Sequence, residues 1–192
     1  MLKPLFTRAN LLTLSRTLLI APTVWCMLIE LWWIAALLFT AAVVSDVYDG
    51  KLARKYNQVS PLGGLLDHGT DALFVTGGCL ALAWLGLVPL LLALLIPSAF
   101  IQYMLDSKAL AGKSLRTSRL GKSNGVAYFA LVGTAIGAHT LMQINLLLGL
   151  PLLPLWEYII EPGLQIAAWI LIVSTIISML DRLTTLVREG GT

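Results

Sequence analysis

Apolar stretches of roughly 20 residues, the length that crosses a lipid bilayer as a helix, follow one another along this chain with only short polar breaks. This pattern constrains the fold more than any single motif, because a backbone in hydrocarbon must satisfy its own hydrogen bonds and so runs as helices or as a closed barrel. Hydropathy divides the sequence into six helical segments, at about residues 10–29, 31–48, 62–85, 87–105, 120–148 and 163–186. The expected fold is therefore all-α: a polytopic membrane protein with six transmembrane helices, forming a single domain over residues 1–192. Residues 1–9 carry Lys3 and Arg8 beside Leu2, Leu5 and Phe6, which suits a short N-terminal amphipathic segment lying on the membrane surface. Only 12% of the residues are charged, against about 25% in a soluble domain, and a soluble single-domain enzyme is excluded. The first apolar stretch lacks a small-residue cleavage site and is expected to be retained as a helix.

Where the few charges sit is informative. Basic residues gather before the first helix (Lys3, Arg8), between the second and third (Lys51, Arg54, Lys55), between the fourth and fifth (Lys108, Lys113, Arg116, Arg119, Lys122) and at the C-terminal end (Arg182, Arg188). The alternate connections, near Glu30, near Gly86 and over 149–162, hold acids and no bases. Lys and Arg mark cytoplasmic loops, so both termini are expected in the cytoplasm and six crossings are self-consistent. A bacterial inner membrane is the expected location. Cys26 and Cys79 lie far apart inside apolar runs, which points to packing rather than to a disulfide or a metal site. Gly133 and Gly137 form a small-residue stripe, read here as close packing within one bundle. Nucleic acid is not an expected partner, since there is no soluble basic face to present.

Four of the ten acids, Asp46, Asp49, Asp67 and Asp71, stand at the ends of the apolar second and third segments. Carboxylates in such a place are costly and call for a functional reason. The pairs are three and four residues apart, so each projects from one helix face. A short connection would make these two helices antiparallel neighbours and bring the four carboxylates together at the cytoplasmic boundary. Such a cluster repels itself unless one or two hard divalent cations, Mg²⁺ or Mn²⁺, balance it, and a cation with open positions then receives a phosphate. Gly50 and Gly63 would let a bulky group approach the backbone, Ala53 continues the small face, and Arg54 supplies a cation for a phosphate.

Together these residues spell Asp46-x2-Asp49-Gly50-x2-Ala53-Arg54-x8-Gly63-x3-Asp67-x3-Asp71. Element for element, this resembles the signature of the CDP-alcohol phosphatidyltransferase family. The resemblance implies transfer of a substituted phosphate from a CDP-linked donor to an alcohol hydroxyl, with release of CMP, in phospholipid biosynthesis. It implies two divalent metals held by Asp46, Asp49, Asp67 and Asp71, with Asp71 also the candidate general base. The CDP site would comprise Asp46, Asp49, Gly50, Ala53, Arg54, Ser60 and Gly63. Membrane lipids and a second copy of the chain, in a homodimer, are the further implied partners.

Two donors remain open. The N-terminal Asn10-Leu-Leu-Thr13-x2-Arg16 and Gly121-Lys122 resemble family members that use CDP-diacylglycerol and a small polar alcohol. Ser60-Pro-Leu-Gly63 followed by Asp67-His68-Gly69-x-Asp71 resembles the choline and ethanolamine phosphotransferases, which implies His68 as a second candidate base. Arg119 and Lys122, three apart at the start of the fifth helix, are candidates to clamp an acidic acceptor, while Lys108, Lys113 and Arg116 suit anionic lipid headgroups. A cation transporter is the alternative of a different class, since intramembrane carboxylates are expected there too.

Overall fold

The computed structural model describes residues 8–55, 61–106, 118–149 and 156–190, and these are helical apart from short turns. Six α-helices follow in order: α1 (Arg8–Leu28), α2 (Trp32–Lys55), α3 (Pro61–Trp84), α4 (Leu90–Asp106), α5 (Arg119–Leu148) and α6 (Glu161–Gly190), the last preceded by a π-helical turn at Trp156–Ile160. The all-α expectation holds, with shifted ends. Hydropathy fades at Tyr48, but Lys51, Leu52, Ala53 and Arg54 are strong helix formers and α2 runs on to Lys55. The fourth helix starts at Leu90 rather than 87, just after Pro89. The segment before Arg8, and the bases Lys108, Lys113 and Arg116, lie outside the described residues.

Each odd-numbered helix ends on a left-handed residue that caps its last carbonyls. At the α1–α2 turn Glu30 has φ 59°, with Leu31 N–H donating to Cys26 O at 2.8 Å. At the α3–α4 turn Gly86 has φ 77° and Leu87 N–H donates to Leu82 O at 2.9 Å. These are the six-to-one bonds of the Schellman cap. Gly149 closes α5 at φ 67° with its N–H on Asn145 O. Prolines stand inside α1 (Pro22) and α4 (Pro97), and in each case the next residue's hydroxyl bonds back one turn, Thr23 to Leu19 O at 2.6 Å and Ser98 to Leu94 O at 2.8 Å.

The helix order in space corrects one expectation. The second and third helices do not pack along each other: α1 lies against both and separates their backbones. α3 also packs on α4, and α5 and α6 close the bundle, α5 against α2 and α3, α6 against α4 and α5. At the end carrying the α1–α2 and α3–α4 turns, Met27, Leu82, Leu92 and Ala35 are wholly buried. There His139 stacks on Trp32 (centroids 3.9 Å apart) and meets the edge of Trp156 (4.2 Å), and Gln143 and Gln165 donate to the turn carbonyls of Glu30 and Gly86. Gly133 faces Phe39 of α2, where a Cβ would come within 3.0 Å of the ring, so it serves packing inside the bundle, whereas a Cβ at Gly137 would meet no described atom within 4 Å.

The outside of the bundle is apolar, with Leu18, Trp84, Val126, Leu147, Ile166 and Ile170 among many large exposed side chains, while Arg16, Thr23, Asn124, Asn145, Thr175 and Ser178 are buried. Among the described residues two helical stretches, Arg119–Leu148 and Tyr158–Thr184, are long and apolar enough to cross a membrane, and Arg16–Leu28, Trp32–Tyr48 and Leu90–Leu105 are shorter apolar helices.

Candidate active site

At the opposite end, where α1, α3 and α5 begin and α2, α4 and α6 finish, the packing opens into a cavity of about 660 Å³. Its floor is set by Arg16. This residue is the single charge in the apolar run between Arg8 and Glu30, and its side chain is only 2% exposed. From α1 its Nη1 donates to Asp46 Oδ1 of α2. Its Nη2 donates to Asp67 Oδ1 of α3 at 2.6 Å and lies 3.3 Å from Asp71 Oδ1. Beside it the Thr17 and Thr70 hydroxyls, 3.3 Å apart, join α1 to α3. The acids are far less buried than their counter-ion: Asp46 is 45% exposed, Asp67 35% and Asp71 28%. Asp46 and Asp71 border the cavity.

Asp67, His68 and Asp71 each present a ligand atom, and these atoms lie within 4.8 Å of one another. The turn of helix from 67 to 71 produces this, since residues four apart share a face. Two carboxylates and an imidazole, with Asp46 joined to them through Arg16, form an oxygen-rich set in which acids outnumber the buried cation. That donor chemistry fits a hard divalent cation such as Mg²⁺ or Mn²⁺.

The far wall is cationic. Ser118 caps α5, its Oγ accepting from Gly121 N–H at 3.0 Å. Arg182, from the end of α6, lies 3.5 Å from the same Oγ, and its guanidinium covers the Tyr103 ring at 4.9 Å. Gly121 permits this approach: a Cβ there would sit 2.9 Å from Ser118 Oγ and 3.3 Å from Arg182 Nη2. Lys122, Asn124, Tyr128, Thr175, Ser178 and Arg182 line the cavity opposite Asp46 and Asp71. Behind this wall Tyr128 and Thr175 hydroxyls are 2.5 Å apart and Ser174 donates to Asn124 at 2.6 Å, fixing α5 to α6. Gln102 of α4 donates to Met179 O at 3.0 Å, holding the third helix of this wall. Between α2 and α5 the cavity edge is apolar, with Val43, Val126 and Phe129.

The structure thus brings together Asp46, Asp67, His68 and Asp71 of the expected site, and Lys122 of the acceptor pair. Arg119 is exposed and is not among the described cavity residues. Asp49, Gly50, Ala53 and Arg54 fall on the last turns of α2 and Gly63 on the first turn of α3, but the side chains of Asp49, Ala53 and Arg54 and the whole of Ser60 lie outside the described residues. Sequence reasoning missed Arg16 and Arg182 as site residues. Arg16 carried a usable signal: a lone cation inside an apolar helix requires a partner. Arg182 carried none, because a base near a helix end also reads as a topology marker.

Comparison with known proteins gives the same direction. A segment of 62 residues is 44% identical to a cardiolipin synthase (CMP-forming) of Streptomyces coelicolor, covering 32% of this chain and 29% of that protein. A segment of 73 residues is 40% identical to the CDP-diacylglycerol–glycerol-3-phosphate 3-phosphatidyltransferase of Escherichia coli strain K12, covering 36% of this chain and 40% of that one. These matches span well under half of either relative. The family profile described as CDP-alcohol phosphatidyltransferase matches residues 6–180, nearly the whole chain. The chain belongs to the CDP-alcohol phosphatidyltransferase family.

Proposed function

We propose that this protein transfers a phosphatidyl group from CDP-diacylglycerol to the hydroxyl of a small phosphate-bearing alcohol, glycerol 3-phosphate being the first candidate, and releases CMP. The observation that carries this is the cavity's two walls of opposite charge: Asp46, Asp71 and His68 on one, with Asp67 grouped beside His68 and Asp71, and Lys122 and Arg182 on the other. The printed functions of the two relatives, one with glycerol 3-phosphate in its name and one a CMP-forming cardiolipin synthase, support the donor class and a glycerol-based acceptor.

Asp46, Asp67 and Asp71, with Asp49 from the same helix as Asp46, would hold one or two divalent cations. A cation held there would supply positive charge to balance the diphosphate and the departing CMP. Lys122 and Arg182 attract the acceptor's phosphate and hold its hydroxyl toward the acid wall, so that reaction occurs between positioned groups. In the transfer, the hydroxyl oxygen bonds to the phosphorus that carries diacylglycerol while the bridging bond to CMP breaks. The hydroxyl proton passes to Asp71, or to His68 beside it. Gly50, Ala53, Arg54, Ser60 and Gly63 are assigned to the cytidine diphosphate. The acyl chains enter at the apolar edge formed by Val43, Val126 and Phe129.

The apolar exterior and the polar residues inside support a bundle in which all six helices cross the bilayer, with the cavity and both termini on the basic, cytoplasmic side. A homodimer remains part of the proposal.

The test is CMP release in detergent with Mg²⁺ or Mn²⁺. CDP-diacylglycerol is offered with glycerol 3-phosphate, phosphatidylglycerol and other alcohols, and CDP-choline or CDP-ethanolamine with diacylglycerol. CMP from CDP-diacylglycerol and glycerol 3-phosphate is expected. Release only from the soluble CDP-alcohols favours the second reading, for which His68 against Asp67 and Asp71 is the supporting observation. No CMP from any donor, together with cation flux in liposomes, overturns the enzyme in favour of a transporter.

A further inference from the structure

Arg16 plays no part in the transfer step just described, yet it is the most deeply buried charge among the described residues and pairs with the very carboxylates that would hold a metal. Asp46 Oδ1, Asp67 Oδ1 and Asp71 Oδ1 all face its guanidinium. We propose that Arg16 is a resident counter-ion that competes with the divalent cation for these carboxylates, holding the site assembled without metal and lowering metal affinity. The inference rests on the metal reading above.

The asymmetry of burial separates this role from a plain structural ion pair. A buried cation needs its charge balanced, and acids that stay partly open keep the capacity to bind a second cation as well. Here the cation is 2% exposed while its three acids keep between 28% and 45% of their surface open. Arg16, Asp46 and Asp71 all border the cavity, with Asp67 bonded to the same guanidinium. The three acids come from two helices whose backbones make little contact, and α1 supplies the cation between them. Without metal and without Arg16, Asp46 of α2 and the Asp67–Asp71 pair of α3 would repel across the gap. With Arg16 present, a cation entering from the cavity must draw oxygens away from a fixed positive charge within a few ångströms of them. Coupling of this kind is reciprocal: whatever Arg16 costs the metal in affinity, the metal costs Arg16 in its bonds. Arg16 is thus a positioning residue. Its effect on chemistry passes through the carboxylates.

The test uses the full chain in detergent, without nucleotide, with Mn²⁺ as the probe: electron paramagnetic resonance measures free ion, and melting is followed with and without it. Arg16→Gln is expected to bind Mn²⁺ at least tenfold more tightly than the unmodified protein, and Mn²⁺ should raise its melting temperature by the larger amount. Arg16→Lys keeps the charge but cannot fork to three acids, and is expected to show a smaller tightening. If Arg16→Gln is unstable without metal, it is purified in Mn²⁺ and its affinity read by chelator competition. Unchanged or weaker Mn²⁺ binding in both variants overturns the counter-ion role while leaving the metal site intact. Absence of Mn²⁺ binding in the unmodified protein overturns the metal reading and this inference with it. Failure of both variants to fold even in Mn²⁺ makes the contacts purely structural and overturns it as well.

Discussion

Asp67 bonds the buried Arg16 through one oxygen and stands within ligand distance of His68 and Asp71. Asp67→Asn keeps the shape and one acceptor oxygen but removes the charge, and turnover is expected to fall below detection in the CMP assay while the melting temperature in detergent changes by only a few degrees. Arg182 stands on the other wall, over Tyr103 and beside the α5 cap. Arg182→Gln is expected to raise KM for a phosphate-bearing acceptor by roughly 10- to 100-fold, the loss of about 1.5–3 kcal/mol typical of a charge-assisted hydrogen bond, with little change in KM for the donor. An equal rise in both would place Arg182 elsewhere. The acids were legible in the sequence because carboxylates at the ends of apolar helices stand out against their background. Arg182 was not, since its role depends on the end of α6 meeting the start of α5, a contact between residues far apart in the chain.

Helix capping in this protein follows the glycine rule at Gly86 and Gly149 and departs from it at Glu30, whose φ of 59° puts a side chain where an L-residue is strained. Glu30→Gly is expected to stabilise the fold by up to about 1 kcal/mol, seen as a rise in melting temperature. The Gln143 bond to the Glu30 carbonyl, at 2.6 Å, uses the backbone and survives the change. Helix existence was readable from hydropathy alone, and all six came through with shifted ends. The shifts have a physical cause: an apolar run reports an apolar environment, while the helix itself continues for as long as propensity allows, as it does through the polar end of α2. The neighbour relation was not readable. A short connection between α2 and α3 implied direct packing, whereas α1 takes the space between them, and nothing in the local sequence announces which helix will fill a gap.

For the molecule as a whole, the alternation of basic and acidic connections matches the alternation of the two bundle ends: the cavity end carries Lys51, Lys55, Arg119 and Lys122, and the other carries Glu30 and Glu161. Single cysteines, placed in a chain with Cys26 and Cys79 replaced by alanine, give the direct check. A cysteine at Glu30 or Gly86 is expected to react with a membrane-impermeant maleimide added outside intact spheroplasts, and one at Lys55 or Arg119 only after the membrane is opened. The reverse pattern inverts the topology, and uniform labelling removes the six-span arrangement. The same two ends divide mechanical roles, with close packing, aromatic stacking and capped turns at one and the open, charged cavity at the other.

That cavity has one more property. Its edge between α2 and α5 is lined by Val43, Val126 and Phe129, while its opposite wall holds Lys122 and Arg182. Under the proposed reaction, two reactants entering by such different doors would arrive from phases of different dimension. The proposed donor would come by lateral diffusion, so its supply would follow its mole fraction in the bilayer, and dilution with inert lipid is expected to slow the reaction even at constant bulk amount. The proposed acceptor would come from three-dimensional solution and be indifferent to that dilution. Flux through the proposed reaction is therefore expected to depend jointly on the lipid composition of the surrounding bilayer and on the solute pool beside it.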